Sequence, residues 1–380
     1  MISVGKLCDC CKVIAGQSPK GSSYNDKGQG MEFHQGKKAF GKDIIEHSGV
    51  WTTEITKVAE AGDILMSVRA PVGPTNYTNR KICIGRGLAA IRCTNKVLPS
   101  FVHYALKSIE DKITGKDGAV FDSINKDMIE DLPIPILSLS EQQRIVDILD
   151  QEFAKIDALK ANAEKSLQAA KDLFQATLKN ELEPKEGWET RHLNEWATYS
   201  IGLTYKPTDV SNEGTIVLRS SNIQNSQLVL DDIVRVSCKV KDELFVEDGD
   251  ILMCSRNGSA RLVGKVARIG KEKERMTYGT FMTIIRSKYN PILFYYFKSK
   301  DFRSQIGKGE NTMINQITKY MLDDVVISLP NNPEEISRIA RSLDNLNDRC
   351  NTLQENYQKT LTLCDDLKQA LLKKAFHGEF

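Results

Sequence analysis

The chain has 380 residues, of which 41% are hydrophobic and 27% charged, and its 52 basic and 50 acidic side chains leave a net charge of +2. This length exceeds what one hydrophobic core usually organises, so we expect two or more domains. The composition excludes disorder throughout. Because the net charge is close to zero, an argument for nucleic-acid binding has to rest on where the charges lie.

We expect neither a targeting segment nor a zinc site in this chain. No apolar run reaches the ~18 residues that cross a bilayer, and the N-terminus lacks the basic start and apolar stretch of a secretory signal. The nine cysteines cluster only at Cys8, Cys10 and Cys11 and include no Cys-x2-Cys pair. We therefore expect a cytoplasmic protein whose cysteines are free thiols and not zinc ligands.

The first half begins with a mixed segment and ends in a long helix. Residues 1–136 are rich in glycine and β-branched residues, and the runs at 81–84 and 88–91 predict strands. A polar helix is predicted within residues 137–185, with Ser140 as N-cap and Gln143 completing a capping box. Its apolar residues are mostly three or four apart, as in a coiled-coil seam, and are Ile145, Leu149, Ile156, Leu159, Ala163, Leu167, Ala170, Leu173 and Leu178.

The second half repeats this plan. Residues 186–330 form another mixed segment, with strands predicted at 263–269 and 282–285, and residues 331–380 form another helix. The apolar seam of this helix is Leu343, Leu346, Cys350, Leu353, Tyr357, Leu361, Cys364, Leu367 and Leu371. Neither seam is stable alone in water, so we expect the two helices to pair with each other, with association between chains as the alternative.

Matching motifs show that the chain is an internal duplication. Gly-Asp-Ile-Leu-Met occurs at 62–66 and again at 249–253, and an arginine follows each motif at the same distance, as Arg69 and Arg256. Three further matches run in the same order, and they join 7–9 with 193–195, 134–145 with 327–339, and 172–176 with 366–370. Four matches in register predict two structural repeats.

The charges follow the duplication. The mixed segments have net charges of +3 and +2, whereas the two helical segments have −2 and −1. No acidic residue occurs between Asp63 and Glu110 or between Asp250 and Glu272. Because both acid-free stretches start at the repeated motif, they predict one phosphate-contacting surface in each repeat. An ordinary solvated face is the alternative for either stretch alone.

Side chains suited to reading bases lie in the same regions. Arginine binds guanine with two hydrogen bonds, and Asn or Gln binds adenine in the same way. The candidate DNA contacts are Gln17, Ser18, Lys20, Arg69, Arg80, Lys81, Arg86, Thr204, Lys206, Arg219, Ser220, Asn222, Arg256, Asn257, Ser259, Arg261 and Lys265. Several of these segments could equally be turns, which Gly, Ser, Asn and Pro favour.

Two motifs of enzymes that act on DNA are missing, and the run 271–274, which could belong to a nuclease cluster of carboxylates and lysines, is more simply a charged hairpin tip. The sequence has no Asn/Asp-Pro-Pro-aromatic motif of an amino-methyltransferase and no Gly-x4-Gly-Lys phosphate loop. The Gly-x-Gly at 85–87 is weak evidence for a cofactor loop and is better interpreted as a bend at a strand end. We therefore expect a chain without catalysis and without a metal site.

Taken in this order, the motifs resemble the specificity (S) subunit of type I restriction-modification enzymes over essentially all 380 residues. The resemblance is carried by both Gly-Asp-Ile-Leu motifs, by Gly16-Gln17-Ser18-Pro19, by Gly187-Trp188-Glu189 with Leu193, by 133–135 followed by 141–145, and by 375–378. The first half has no tryptophan that matches Trp188, so we expect the domain at 1–136 to begin with a shorter segment than the domain at 186–330.

The resemblance implies an α+β fold in which two α/β target-recognition domains, at 1–136 and 186–330, are separated by two long antiparallel coiled-coil helices, at 137–185 and 331–380. It implies a non-catalytic subunit that reads a bipartite, asymmetric DNA target. It also implies docking of two methyltransferase subunits, which hold S-adenosylmethionine, and of restriction subunits through them. The alternative function is a coiled-coil interaction protein whose basic heads bind RNA or acidic proteins. The target sequence itself does not follow from these motifs.

Overall fold

The computed structural model describes residues 3–114, 123–272, 274–307 and 315–377. The chain forms two compact units, of which unit 1 is Met1–Glu164 with Lys359–Phe380, and unit 2 is Lys165–Gln358. The boundaries between the units fall within two long helices, so each unit contains one part of both. The four predicted segments therefore stay a prediction. In the part of the chain that is described, no helix is long and apolar enough to cross a membrane.

Unit 1 contains eleven short strands and three short helices among its described residues. The strands are β1 (Val4–Lys6), β2 (Cys11–Ala15), β3 (Tyr24–Asn25), β4 (Met31–His34), β5 (Trp51–Thr52), β6 (Val58–Ala59), β7 (Ile64–Ser67), β8 (Thr75–Tyr77), β9 (Ile82–Ile84), β10 (Leu88–Cys93) and β11 (Pro133–Pro135). The short helices are α1 (Pro99–Ser108), α2 (Glu110–Thr114) and α3 (Lys126–Glu130).

The central sheet of unit 1 is antiparallel with the order β2-β10-β7-β8, and it packs on both faces. Because side chains alternate along a strand, Ile64 and Met66 of β7 point to the core that holds α1. Leu65, between them, points to the opposite face and packs toward a five-stranded sheet with the order β3-β5-β4-β9-β6. A separate pair, β1 with β11, closes the unit.

The first long helix is α4 (Leu139–Glu181). Its predicted start was wrong by two residues. The Ser138 hydroxyl accepts the N–H of Glu141 at 3.3 Å, and the Glu141 carboxylate accepts the N–H of Ser138 at 3.2 Å, which is a capping box. Gln142 is buried and accepts the N–H of Leu98 at 2.8 Å, so it ties the helix to unit 1.

Unit 2 repeats the plan with twelve strands and four short helices among its described residues. The strands are β12 (Trp188–His192), β13 (Thr198–Ile201), β14 (Val210–Ser211), β15 (Thr215–Leu218), β16 (Ile223–Gln224), β17 (Gln227–Leu228), β18 (Val234–Val236), β19 (Ile251–Cys254), β20 (Val266–Arg268), β21 (Met276–Tyr278), β22 (Met282–Arg286) and β23 (Val326–Pro330). The short helices are α5 (Leu193–Trp196), α6 (Asn290–Tyr296), α7 (Lys300–Ile306) and α8 (Lys319–Asp323).

The sheets of unit 2 correspond to those of unit 1. The central sheet has the order β13-β22-β19-β20, and its motif strand β19 pairs with β22 as β7 pairs with β10. A mixed sheet, β14-β18-β15-β21, packs on one face, and β12 pairs with β23 as β1 pairs with β11. The duplication is thus confirmed in three dimensions. The strand predicted over 263–269 is shorter, because Gly264 has a φ of +79° and turns the chain before β20 begins.

The second long helix is α9 (Pro333–His377), and it starts where proline is tolerated, at the first helical position. The side chain of Asn332 caps it by accepting the N–H of Glu334 at 2.9 Å. Within unit 1, α4 and α9 are joined by ion pairs from Lys160 to Asp365, at 2.7 Å, and from Lys368 to Asp157. Because the residue numbers rise in one helix as they fall in the other, the two helices are antiparallel.

The predicted seams are only partly buried. In the middle of α4 one residue in seven is fully buried, at Ile156, Ala163 and Ala170, whereas Leu159 is 56% exposed and Leu173 is 53% exposed. Leu353 and Leu367 of α9 are exposed too, which corrects those four positions. In a regular two-stranded coiled coil both the a and the d positions face the partner helix. Because only every seventh residue is buried in the middle of α4, the buried seam there is narrower than the predicted one.

Candidate nucleic-acid interface

The repeated Gly-Asp-Ile-Leu-Met motif builds the frame of each repeat. In unit 1 the buried Asp63 carboxylate accepts two hydrogen bonds from the Arg92 guanidinium, at 2.9 and 2.8 Å. In unit 2 the buried Asp250 accepts two from Arg286, at 2.8 and 2.7 Å. The hydrogen bond to each carboxylate raises the pKa of its arginine. The motif is therefore a turn and strand fixed by a bidentate ion pair, and a binding surface has to be formed by residues outside the motif.

Each motif strand leads into an exposed arginine in the same backbone setting. Arg69 forms an isolated antiparallel bridge with Ser123, and Arg256 forms one with Gln316. Both arginines are exposed. The structure therefore places Arg69 and Arg256 at equivalent points of the two repeats.

A tight turn lies beside each arginine. In unit 1 it is the turn 85–87, closed by the N–H of Leu88 donating to the carbonyl of Gly85 at 3.0 Å. In unit 2 it is the turn 279–281, closed at 2.8 Å in the same way by Met282. The Gly-x-Gly sequence is thus a bend at a strand end, as predicted. The tips of the two turns differ, since one is Arg86-Gly87, in which only Arg86 is exposed, and the other is Thr280-Phe281, in which both residues are exposed.

A loop from the start of each repeat completes the arrangement. The N–H of Gly16 donates to the carbonyl of Leu88 at 2.9 Å, and the N–H of Gly202 donates to that of Met282 at 3.2 Å. Glycine is required at both points. A Cβ at Gly16 would lie 2.1 Å from a carbonyl oxygen of the facing turn, and one at Gly202 would lie 2.2 Å from the carbonyl oxygen of Tyr278.

We call these three parts the loop cluster of a repeat. The first loop cluster is formed by 16–20, 85–87 and Arg69, and the second by 202–206, 279–281 and Arg256. The predicted contacts that the structure brings together in them are Gln17, Ser18, Lys20, Arg69, Arg86, Thr204, Lys206 and Arg256. All of these side chains are exposed except Ser18, which is half-buried. A DNA role for them stays a prediction.

The first loop cluster is organised around Arg86. The Ser18 hydroxyl accepts hydrogen bonds from the backbone N–H of Arg86 at 3.2 Å and from its Nε at 3.4 Å. Ser18 in turn donates to Gln35 Oε1 at 2.9 Å. Ser18 therefore restrains the Arg86 side chain at its Nε while the residue stays exposed. An exposed, restrained guanidinium is suited to bind a phosphate or the edge of a guanine.

Arg80 lies away from the loop clusters and is used inside unit 1. Its guanidinium binds the Glu32 carboxylate at 2.7 and 3.1 Å and also donates to two backbone carbonyls. Burial by itself would raise the pKa of Glu32. The hydrogen bonds from Arg80 and from the N–H of Ser48 outweigh it and lower that pKa to about 2. Arg80 therefore holds the fold in this structure.

Other cations of the acid-free stretches are also neutralised by acids from elsewhere in the chain. In unit 1, Lys81 pairs with Glu60 at 3.1 Å. In unit 2, Arg268 pairs with Asp344 of α9 at 2.8 Å and packs over the ring of Phe294. A stretch that is acid-free in sequence is thus not acid-free in space, and Lys81 and Arg268 are less available to phosphates than the sequence predicts.

The segment 219–222 is a turn, the alternative that its composition allowed. Asn222 is buried, accepts the N–H of Arg219 at 2.8 Å, and donates to the carbonyls of Val229 and Asp232. Arg219 itself pairs with the Asp232 carboxylate at 2.9 Å. Ser220 accepts a hydrogen bond at 3.1 Å from Asn257, the neighbour of Arg256, so these two lie at the margin of the second loop cluster.

The remaining predicted contacts come after Arg256 along the chain. Ser259 is half-buried, and its N–H donates to Asn257 Oδ1 at 2.9 Å. Arg261 is exposed in a single turn of 3-10 helix, and Lys265 is half-buried beside β20. None of these three belongs to the second loop cluster.

Two exposed aromatic residues were missed by the sequence reasoning. Phe281 is at the tip of its turn, and Tyr320 is 81% exposed at the start of α8. Both line a recess of about 510 Å³ in unit 2, together with Arg256. The signal was present in the sequence as Gly-Thr-Phe against Gly-Arg-Gly. The two turns, however, are 194 residues apart, whereas the motifs are 187 apart, and that shift hid the correspondence.

Comparison with known proteins adds a family to this geometry. The sequence model of the type I restriction modification DNA specificity domain matches residues 2–169 and 185–363. The putative type I restriction enzyme MjaX specificity subunit of Methanocaldococcus jannaschii is 40% identical over 176 residues, which cover 46% of this chain and 41% of that relative. The EcoKI specificity subunit of Escherichia coli is 27% identical over 320 residues, covering 78% of this chain and 68% of the relative. These matches do not favour the RNA-binding or acidic-partner alternative.

Solved structures show the same fold. A chain from a study of complex assembly and conformational transition in the type I R-M system superposes with a TM-score of 0.80, at 18% identity, covering 100% of this chain and 98% of that one. The HsdS subunit from Thermoanaerobacter tengcongensis gives a TM-score of 0.54, also at 18% identity, covering 100% and 97%. The shared architecture is α+β, with two recognition domains and long antiparallel helices.

Proposed function

Because the chain belongs to the type I restriction modification DNA specificity family, we propose that it reads a bipartite DNA target, one half with each loop cluster. The observation that carries this proposal is the pair of equivalent loop clusters on a duplicated frame. Each loop cluster contains one exposed arginine, Arg69 or Arg256, and one exposed lysine, Lys20 or Lys206. Lysine and arginine supply phosphate contacts, and arginine also supplies base contacts.

The target is asymmetric under this proposal, because the two clusters differ in the side chains that would face the bases. The first offers Gln17 and Arg86, which suit adenine and guanine. The second offers Leu203 and Thr280 at the same backbone positions, which offer no bidentate hydrogen bonding. Two frames of equal geometry with unequal side chains would read two different sequences.

We propose further that α4 and α9 set the distance between the two halves and dock two methyltransferase subunits. The methyltransferases would hold S-adenosylmethionine and methylate adenine, and restriction subunits would join through them. This chain would then be the DNA-binding subunit and carry no catalysis of its own. The continuity of both helices, over 43 and 45 residues, supports a spacing role.

The test is a methylome. The chain is co-expressed with type I methyltransferase subunits of its host in a strain without other adenine methylation, and modified adenines are mapped by long-read sequencing. We expect one split, asymmetric motif that disappears when this chain is omitted. Methylation that persists without the chain, or a continuous motif, would contradict the proposal.

A further inference from the structure

The two loop clusters differ most at the turn beside the arginine. In the second cluster Phe281 is 54% exposed, and the guanidinium of Arg256 lies 5.5 Å from the centre of its ring. In the first cluster the same backbone position is Gly87, where a Cβ would lie 2.5 Å from the carbonyl oxygen of Gln35. The first cluster thus cannot carry a side chain at this point, and the second presents a large ring there.

Phe281 belongs to an exposed apolar group. Ile201 is 60% exposed and Tyr320 is 81% exposed, and both line the same recess of about 510 Å³. Large apolar side chains that are grouped at the surface of a protein often mark a binding site. The equivalent of Tyr320 in the first repeat is Asp127, the second residue of α3, so this apolar group belongs to the second repeat alone.

The group is apolar but has cations at its edge. Arg256 caps the ring of Phe281, and Lys319 borders the recess beside Tyr320. A cation over the face of an aromatic ring is attracted to it, so the guanidinium restrains the ring. An apolar tip flanked by cations fits the groove of duplex DNA, where phosphates border the bases. In the major groove the distinctive apolar group is the C5 methyl of thymine.

We propose that Phe281 is a specificity-determining residue that contacts a thymine methyl in the half-site of the second loop cluster. This inference rests on the proposed function. Phe281 packs its ring edge against the methyl group, while Arg256 holds the ring and contacts the adjoining phosphate or base. The first half-site has no equivalent contact, because Gly87 leaves no room for one.

The experiment uses the full chain with its methyltransferase subunits and the split motif found by methylome sequencing. The half-site of the second cluster is the one that cross-links to a photoreactive side chain placed at the exposed position of Lys206. Each thymine in that half is then replaced in turn by deoxyuridine, which lacks only the methyl group, and duplex binding is measured. We expect one replacement to weaken binding by the wild-type complex about fourfold. This fold-change corresponds to the free energy gained when one apolar carbon is buried.

Variants complete the test. Phe281→Ala should bind the thymine and uracil duplexes equally, and its methylome should be relaxed at that one position. Phe281→Leu should retain part of the preference, whereas Val210→Ala, a control that shortens an exposed apolar side chain of the same unit outside the loop clusters, should retain all of it. Because the Phe281 side chain is exposed, the thermal unfolding midpoint of the Phe281→Ala variant should equal that of the wild type.

Several results would overturn the proposal while leaving the split motif in place. These are a second half-site without thymine, indifference of the wild type to every uracil, and uniform weakening of Phe281→Ala on all sequences. The proposal would also be overturned if the methylome of Phe281→Ala were relaxed in the half-site of the first loop cluster. If instead the wild type methylates no split motif, the proposed function fails first, so the two failures are distinguishable.

Discussion

The tip of the turn is Arg86-Gly87 in the first loop cluster and Thr280-Phe281 in the second, although the hydrogen bonds that close the two turns are the same. The frames beneath them are also the same, since Asp63 with Arg92 in one repeat matches Asp250 with Arg286 in the other. The difference teaches that buried polar pairs keep the backbone constant while the rim side chains vary. Substitutions test this comparison, first in the buried ion pairs and then in the exposed side chains of the loop clusters.

The largest effect is expected from the frame. Asp63→Ala leaves the half-buried Arg92 without its ion-pair partner, whereas after Asp250→Ala the half-buried Arg286 keeps an ion pair with Glu247 at 2.8 Å. Each substitution also removes a hydrogen bond to a backbone N–H, so Asp63→Ala should cost about 3 kcal/mol of unfolding free energy and Asp250→Ala about 2 kcal/mol. Urea unfolding of the two variants measures this. Asp131→Ala, which breaks an exposed pair with Lys6, is the control and should cost less than about 1 kcal/mol. A larger loss for Asp250→Ala than for Asp63→Ala would contradict this account of the two ion pairs.

A second test of equivalence uses the two glycines that the loops require. Gly16→Ala and Gly202→Ala each force a Cβ onto a backbone carbonyl oxygen, and each should cost about 1–3 kcal/mol of unfolding free energy. Gly21→Ala is the matched control, because open space surrounds that position. If either variant is as stable as the control, the close approach of loop and turn is wrong for that repeat.

The arginines test whether each cluster reads its own half. Arg69→Ala and Arg256→Ala should each cost ~1–3 kcal/mol of discrimination and relax the motif in one half only, in opposite halves. Methylomes of the two variants measure this directly. If both variants weaken binding uniformly on all sequences, the arginines contact phosphates and read no base.

The smallest effect is expected from the exposed lysines. Lys20→Ala and Lys206→Ala should each weaken duplex binding alike for all sequences and reduce the slope of log K against log salt by about 1, as loss of one phosphate contact does. Binding titrations at several salt concentrations measure the slope. An unchanged slope would place that lysine away from the DNA, and a changed motif would make it a base contact.

The sequence predicted the larger features because they rest on periodicity and repetition. Spacing of apolar residues predicted both long helices, and the recurring Gly-Asp-Ile-Leu-Met predicted the duplicated frame. The start of α4 was missed because Ser138 and Ser140 are both good N-caps, and only the contact between Ser138 and Glu141 decides between them.

The candidate contacts were less predictable for a physical reason. Charge in sequence does not tell where the counter-charge lies, so Arg80 could not be separated from Arg86 before the Glu32 carboxylate was seen to bind it. Burial likewise separates Asn222, a turn residue, from Arg219 and Ser220, which are half-buried. Phe281 was missed because an aromatic residue in sequence is most often a core residue, and exposure at a turn tip requires the fold.

The central claim is that two equivalent readers are held at a set spacing by a pair of helices. The most direct test lengthens both helices by four residues, after Glu164 and after Gln358, where the contacts within each unit stay intact. Four residues add about 6 Å and slightly more than one helical turn, close to two base pairs at ~3.4 Å each. The account predicts a methylome with both half-sequences unchanged and a gap two base pairs longer. An unchanged gap, or altered half-sequences, would contradict it.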